Sequence, residues 1–271
     1  MKSALDLVSA REILARARAV GLVHLPESDA KALLGAIGIA TPARIAVSGP
    51  AGAEGLPEPP FPGERVVLKA IAPGLLHKTE AGAVRVLPPH RDAVIAEIRA
   101  MTRRLDGQLV EGFLVEEHVR YEASPGREFL LGLRWTPDFG PVVTLGAGGI
   151  HAEALARAFR TDEALAVFHS SLAKPEAVEA ALERIAAVRL ATRSQRGRAP
   201  LLPAPALADV VLRFLALGEA VCPELLLELE VNPLAVTDGR LVALDAHGTL
   251  PAPGRSPAAA APHWGVPVIW S

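Results

Sequence analysis

The sequence predicts an α+β fold, because helical and strand patterns follow one another along the chain without the strict alternation of a doubly wound sheet. Helical periodicity is clear where Val94, Ile98, Met101 and Leu105 recur every three or four residues. The strongest strand signal is a hairpin in which Asp238-Gly239 separates two apolar runs. Hydrophobic residues make up 50% of the 271 residues and charged residues 21%, so the chain is expected to be globular with a sizeable core.

The N-terminal part predicts two helices, a short strand and a loop. Ser9 and Glu12 fit a capping box that opens a helix running to about Gly21. Ser28 is a candidate N-cap of a second helix, and Gly38 would end that helix in the left-handed conformation. A short strand is predicted at residues 45–47, and a proline- and glycine-rich loop at residues 50–63.

The remaining elements mix short strands with longer helices. Apolar runs bounded by turn residues predict strands at 65–69, 83–87, 112–117, 128–134 and 141–145. Helical patterns begin beyond residue 150 and fill much of 174–193 and 207–221. The last predicted unit is the hairpin, which joins residues 225–234 to residues 240–246.

Composition excludes several classes of function. The net charge of −2 argues against binding to nucleic acid or to an anionic membrane surface. The lone Cys222 cannot form an internal disulfide, and residues 1–21 lack the apolar core of a signal peptide. The most apolar helical stretch is interrupted by Asp209, Arg213 and Glu219, so it is not expected to cross a membrane. These observations predict a cytoplasmic protein.

The hairpin brings a candidate metal site together. If Asp238-Gly239 is a two-residue turn, the numbers of paired residues sum to 477, which places Asn232 directly opposite Asp245. The same face of the first strand also carries Glu228 and Glu230. Amide and carboxylate oxygens suit Mg²⁺, which commonly shares its coordination with phosphate oxygens. The pattern is equally typical of an amphipathic hairpin with one solvated face, and Pro233 could shift its register.

Other segments could contact a nucleotide, and each also has an ordinary structural explanation. Lys69 follows an apolar strand and could clamp phosphate or simply reach the surface. Glu116-Glu117 could present a strand end to adenine or form a charged edge. His77 lies in a proline- and glycine-rich loop and could carry phosphate or be a surface residue.

A glycine run before a predicted helix could hold phosphate on backbone N–H groups or form a tight turn. The run contains Gly146, Gly148 and Gly149. It fails as a G-x-G-x-x-G dinucleotide fingerprint because the position of the third glycine is occupied by His151.

In this order, these segments resemble the ATP-grasp domain of the NDP-forming acyl-CoA synthetases, and more distantly the β subunit of succinyl-CoA synthetase. The resemblance is carried by residues 66–79, 112–117, 128–132, 138–143 and 146–150, and by 230–234 followed by Leu244-Asp245. It extends over about residues 26–250. It implies an ATP-grasp fold in which two lobes, about 26–111 and 112–250, clasp a nucleotide. An N-terminal helix (1–25) would precede the lobes along the chain, and a C-terminal tail (251–271) would follow them.

The resemblance also implies residue roles. Lys69 would contact the nucleotide phosphates, Glu116 and Glu117 would lie at the adenine hinge, and Glu128 would lie near the ribose and triphosphate. Asn232 and Asp245 would bind Mg²⁺. Glu230 would orient a phosphohistidine, and His77 would relay phosphate to the nucleotide. Three departures from the family pattern are the loop at 50–63 in place of a helix, His151 in place of an apolar residue, and a weak match at the expected helix around 159–170.

The implied activity is a reversible ligase reaction in which acyl-CoA, ADP and phosphate give acid, CoA and ATP, with ATP or ADP and Mg²⁺ as cofactors. Neither a CoA-binding domain nor a ligase domain is found in the sequence. We therefore expect a hetero-oligomer with a separate CoA-binding/ligase α-type subunit, through which acyl-CoA and phosphate would enter. Two alternatives remain: another ATP-grasp carboxylate ligase, and a non-catalytic nucleotide-sensing module.

Overall fold

The computed structural model describes residues 5–72, 81–149, 152–172, 174–194 and 197–253. The helices in these ranges are α1 Leu7–Ala19, α2 Glu27–Ala36, α3 Pro50–Ala53, α4 Arg91–Arg104, α5 Ala152–Ala158, α6 Thr161–Ala164, α7 Pro175–Leu182, α8 Ala186–Thr192 and α9 Pro205–Val221. The strands are β1 His24–Leu25, β2 Arg44–Val47, β3 Val66–Ile71, β4 Val84–Leu87, β5 Gly112–Glu117, β6 Glu128–Thr136, β7 Gly140–Ala147, β8 Leu165–His169, β9 Glu228–Thr237, β10 Arg240–Ala243 and β11 Ala246–Thr249.

The smaller of two antiparallel sheets has the strand order β2-β5-β3-β4. One of its faces buries Leu68 and Val115 against Ile98 and Met101 of α4. Successive side chains of a strand point to opposite faces, so Lys69 and Glu116 belong to the other face. The smaller sheet therefore keeps its apolar core on one side and presents charged groups on the other.

The larger sheet has the strand order β1-β11-β9-β6-β7-β8, and β10 also pairs with β9. Its buried face includes Leu131, Leu133 and Val143, which share one hydrophobic core with Phe214 of α9 and Leu34 of α2. The strand predicted to open the second lobe, β5, pairs with β2 and β3 and so belongs to the smaller sheet. No helix in the described ranges is long and apolar enough to cross a bilayer.

The hairpin forms in the predicted register. Asp238 and Gly239 have φ angles of 47° and 73°, the left-handed values that a type I′ turn requires. Residue pairs sum to 477 both in the β9–β10 ladder and in the β9–β11 ladder. Pro233 lies where the ladder is interrupted between β10 and β11, but the register is not shifted across the break.

Two predicted helix caps are wrong. Helix α1 begins at Leu7 with Asp6 as its N-cap, and the Asp6 carboxylate accepts a hydrogen bond from Ser9 N at 3.0 Å. Helix α2 begins at Glu27 after Pro26, so Ser28 lies in its first turn. Gly38 has a φ of 75°, which confirms the predicted left-handed end of α2.

Two segments differ from their predicted secondary structure. The helix expected around 159–170 is wrong, because α6 ends at Ala164 and β8 then pairs with β7 at the sheet edge. Burial alternates along β8, where Ala166 and Phe168 face the core and Val167 is 53% exposed. The loop predicted at 50–63 begins with the short helix α3.

Candidate functional site

Lys69 links the two sheets. Its Nζ lies 2.6 Å from Glu27 Oε1 and 3.1 Å from Glu116 Oε2, and it donates to the carbonyl oxygen of Leu244 at 2.7 Å. Glu116 is in the smaller sheet, whereas Leu244 lies in the break between β10 and β11 of the larger sheet. The predicted phosphate-contacting lysine therefore stands where the two sheets meet.

A second lysine completes a buried charged group. Lys31 Nζ lies 2.5 Å from Glu116 Oε1 and 2.9 Å from Glu27 Oε1. Lys31 is fully buried, and the other three residues are at most 7% exposed. We call these four side chains, Glu27, Lys31, Lys69 and Glu116, the lysine–glutamate cluster.

Burial and charge act in opposite directions within the cluster. Burial lowers the pKa of Lys69, but Glu27, Glu116 and Asp245 raise it by more, so its net pKa is raised. Burial also lowers the pKa of Lys31, and the nearby charge of Lys69 lowers it further. Glu27 and Glu116 raise it, but the net pKa of Lys31 is lowered. Lys69 therefore stays protonated at any physiological pH and can face an anion.

Glu27 and Lys31 were missed by the sequence predictions. They lie four residues apart and therefore share one face of α2. That face also buries Ala30 and Leu34. A Glu–Lys pair at this spacing inside an apolar stripe was the available signal, since charged side chains are almost never fully buried unless paired.

A second group of polar residues lies along one end of the larger sheet. Asn232 N donates to the carbonyl oxygen of Asp245 at 3.2 Å, so the two predicted metal ligands are neighbours. Asn232 Oδ1 accepts from Gly149 N at 2.8 Å, and Asp245 Oδ1 accepts from Ala246 N at 2.9 Å. We call Glu128, Asn232 and Asp245 the acidic edge.

Glu128 is held at this edge by Tyr121 and two glycines. Tyr121 Oη donates to Glu128 Oε1 at 3.0 Å, and burial together with the charge of Glu128 raises the pKa of Tyr121 to about 12. Gly148 N donates to the Glu128 carbonyl oxygen at 3.0 Å. Gly149 has a φ of 75°, and a Cβ added there would lie 2.2 Å from Glu128 Oε2. Only glycine fits this position without displacing the carboxylate.

The glycine run therefore has a structural role in this conformation. The N–H groups of Gly148 and Gly149 are engaged by Glu128 and Asn232, and Gly146 lies inside β7 opposite Leu130. These contacts hold the end of β7 against β6 and β9.

The other predicted site residues are spread more widely. Glu117 is exposed at the end of β5, on the sheet face opposite to that of Glu116. Its backbone N–H donates to the Ala43 carbonyl oxygen at 2.9 Å. Glu230 pairs in register with His247, which is exposed, and with Gly132. Glu228 forms an ion pair with Arg134. His77 and His151 lie outside the described residues.

The acidic edge offers oxygen donors that suit a hard cation. Among the described residues, no three His, Cys, Asp or Glu side chains are arranged as a complete metal site. Asn232 Oδ1 accepts one hydrogen bond, which leaves one acceptor site. An amide oxygen beside a carboxylate fits Mg²⁺ that takes its remaining ligands from phosphate and water.

Comparison with known protein families agrees with this geometry. A family model described as an ATP-grasp domain matches residues 16–250. The β subunit of acetate–CoA ligase (ADP-forming) I from Pyrococcus furiosus is 28% identical over 241 residues, which cover 89% of this chain and 97% of that protein. Acetate–CoA ligase (ADP-forming) I from Archaeoglobus fulgidus is 30% identical over 186 residues, which cover 68% of this chain but only 25% of that longer protein.

Solved structures show the same fold. The dinucleotide-forming acetyl-coenzyme A synthetase 1 of Ca. Korarchaeum cryptofilum, in complex with coenzyme A, Ca-AMPCP and HgCl+, matches with a TM-score of 0.71 and 27% identity over 90% of this chain and 100% of that one. A second structure of that protein, with coenzyme A and Mg-AMPPCP, is described as having its phosphohistidine segment pointing towards the nucleotide-binding site. It matches with a TM-score of 0.68 and 26% identity over the same shares of the two chains.

Proposed function

Because this chain belongs to the ATP-grasp domain family, we propose that it is the nucleotide-binding subunit of an ADP-forming acyl-CoA synthetase. The complete reaction would convert acyl-CoA, ADP and phosphate reversibly to acid, CoA and ATP. The observation that carries the proposal is the position of Lys69, which joins the lysine–glutamate cluster to the carbonyl next to Asp245 of the acidic edge. A charged lysine beside a cation site is the arrangement that phosphoryl transfer needs, because it depends mainly on positioning and charge neutralisation.

The two sheets would form the two lobes that hold the nucleotide. Lys69 would donate to its phosphates, and Asn232 and Asp245 would ligate Mg²⁺ together with phosphate oxygens. When bound, Mg²⁺ supplies charge neutralisation for the triphosphate. Glu128, held by Tyr121 and adjacent to Gly149, would face the ribose and triphosphate.

The adenine would lie against the end of β5. The Glu117 N–H is already bonded to Ala43, so adenine recognition at this strand end would fall to other backbone groups. Glu116 is committed to two lysines through contacts of 2.5 and 3.1 Å, so its side chain would support Lys69 rather than contact the base.

Phosphoryl transfer would pass through a histidine. A ring nitrogen of His77 would attack the terminal phosphoryl group of ATP, breaking the bond to ADP and forming phosphohistidine, and the reverse step would make ATP. Glu230 would accept a hydrogen bond from the other ring nitrogen and orient the ring. The description of the Ca. Korarchaeum cryptofilum synthetase, whose phosphohistidine segment points towards its nucleotide site, supports such a route.

The remainder of the reaction would require a partner. The P. furiosus relative is named as a β subunit, and this chain spans 97% of it, which supports a separate CoA-binding/ligase α-type subunit. Acyl-CoA and phosphate would enter through that partner. The assembly would be a cytoplasmic hetero-oligomer that binds neither nucleic acid nor membrane.

Incubation with γ-labelled ATP and Mg²⁺ tests the proposal against its alternatives. Acid-labile, base-stable label on the chain, lost in His77→Ala, is the expected result. Transfer of label to a carboxylic acid substrate without labelling of the chain would instead identify a carboxylate ligase. Binding of ATP with no transfer at all would identify a nucleotide sensor.

A further inference from the structure

We propose that Glu27 and Lys31 are positioning residues that hold Lys69 in place for nucleotide phosphates and set the net charge of the buried cluster beside them. The inference rests on the proposed function, since it assigns a role towards the phosphates of the bound nucleotide. Lys31 is fully buried, and the proposed nucleotide site gives its ammonium group no role of its own.

The contacts of Lys31 and Lys69 converge on the same two acids. Lys31 lies 2.5 Å from Glu116 and 2.9 Å from Glu27, and Lys69 lies 3.1 Å and 2.6 Å from the same two side chains. Each lysine therefore influences the other through shared carboxylates. A substitution at Lys31 is therefore expected to change how strongly Glu27 and Glu116 hold Lys69, because both acids also contact Lys31.

Within the described part of the chain, three acceptor oxygens lie around the three N–H groups of Lys69. Two belong to Glu27 and Glu116, and the third is the Leu244 carbonyl at 2.7 Å. Through the Leu244 carbonyl, Lys69 contacts the residue next to Asp245, one of the proposed Mg²⁺ ligands. A phosphate oxygen would take the place of this carbonyl, while the two carboxylates keep the ammonium anchored.

Charge balance explains the second lysine. The cluster carries two positive and two negative charges. Without Lys31, the single charge of Lys69 would face Glu27, Glu116 and the nearby Asp245, which leaves the phosphate site more negative. The excess negative charge would then repel an anionic phosphate, most strongly from the buried side of the site, where charges are least screened.

Stability alone does not account for this arrangement. Buried ion pairs seldom stabilise a fold more than apolar side chains of similar volume would, because removing the charges from water is costly. If Lys69 required only packing, an apolar residue at position 31, together with the loss of one of the two glutamates, would stabilise the fold equally well. The ion pairs of Lys31 are explained if ligand binding depends on the position of Lys69 and on the net charge around it.

The test compares MgADP affinity, measured by calorimetry, with the free energy of unfolding for three variants. Lys31→Met leaves an excess negative charge and is expected to weaken MgADP binding by about tenfold or more. Lys31→Met/Glu116→Gln removes one charge of each sign and is expected to bind more tightly than Lys31→Met but less tightly than wild type, because Lys69 loses one anchoring carboxylate. Lys174→Met, which removes an exposed lysine outside the cluster, is the control and should bind as wild type does.

Unchanged affinity in a folded Lys31→Met protein would overturn the inference. If that variant does not fold, Lys31→Met/Glu116→Gln is compared with Glu116→Gln alone. Equal MgADP affinity in these two folded variants contradicts the role assigned to the charge of Lys31, and weaker binding by the double variant supports it. A wild-type chain that binds no MgADP would refute the proposed function itself, and the inference would fall with it.

Discussion

The lysine–glutamate cluster and the acidic edge meet at Lys69, yet they are built in different ways. The cluster is buried, matches two cations with two carboxylates, and makes its contacts between side chains. At the acidic edge, Asn232 and Asp245 are only partly buried and accept hydrogen bonds from backbone N–H groups.

This difference separates a preformed group of ion pairs from a proposed cation site. Lys69 is already held by neighbouring charges before any ligand arrives. The acidic edge concentrates oxygen acceptors, which would be stabilised by Mg²⁺. Changes in the cluster should therefore alter both folding and binding, whereas changes at the edge should alter mainly binding that depends on Mg²⁺.

Lys69→Met is expected to have the largest effect. It leaves Glu27 and Glu116 with one lysine between them, and breaking a buried ion pair costs about 3–5 kcal/mol. Urea unfolding should show this loss, and calorimetry should show no measurable MgADP binding. Lys174→Met should unfold within about 0.5 kcal/mol of wild type. An equally stable Lys69→Met protein would mean that the cluster does not hold the lobes together.

Gly149→Ala is expected to be next in size, at about 2–3 kcal/mol of unfolding free energy. The left-handed conformation accounts for about 1–2 kcal/mol, and displacement of the Glu128 carboxylate accounts for the rest. Gly239→Ala is a matched control, because its φ is 73° but nothing lies within 4 Å of an added Cβ. Equal losses in the two variants would show that the close approach to Glu128 is unimportant.

Asp245→Asn should change binding more than folding. Asparagine can still accept the hydrogen bond from Ala246 N, so the free energy of unfolding should fall by no more than about 1 kcal/mol. ADP affinity in the presence of Mg²⁺ should fall by about tenfold or more, and affinity in the presence of EDTA should stay the same or rise. A loss of equal size with and without Mg²⁺ would place the cation elsewhere.

Tyr121→Phe should have the smallest effect. It removes the 3.0 Å hydrogen bond to Glu128, which is worth about 1–2 kcal/mol when the acceptor is charged. MgADP affinity should fall a few-fold if Glu128 faces the nucleotide. Loss of stability with unchanged affinity would assign Tyr121 to the fold alone.

The sequence predicted the acidic edge better than the cluster. The Asp238-Gly239 turn and the two-residue period of a strand determine the register, which the structure confirms on both sides of Pro233. Most strands were also predicted because their apolar runs are bounded by turn residues. The edge strand β8 was missed because its five residues acquire their strand conformation by pairing with β7.

The cluster could not be assembled from local patterns. Its members lie in α2, β3 and β5, which are distant in sequence, so they meet only in the folded protein. Lys69 and Glu116 were predicted individually, but their shared contacts depend on partners about 40 and 85 residues away along the chain. Helical spacing places Lys31 beside Glu27, but only tertiary packing brings it to Glu116.

Calorimetric titration of the purified wild-type chain with ADP, with Mg²⁺ and with EDTA, tests the central claim most directly. The account predicts one nucleotide per chain, bound more tightly with Mg²⁺ than without it. Asp245→Asn should lose that difference, and Lys69→Met should lose binding in both conditions. Absence of nucleotide binding by the folded wild-type chain, or binding that neither substitution affects, would contradict the assignment of this site.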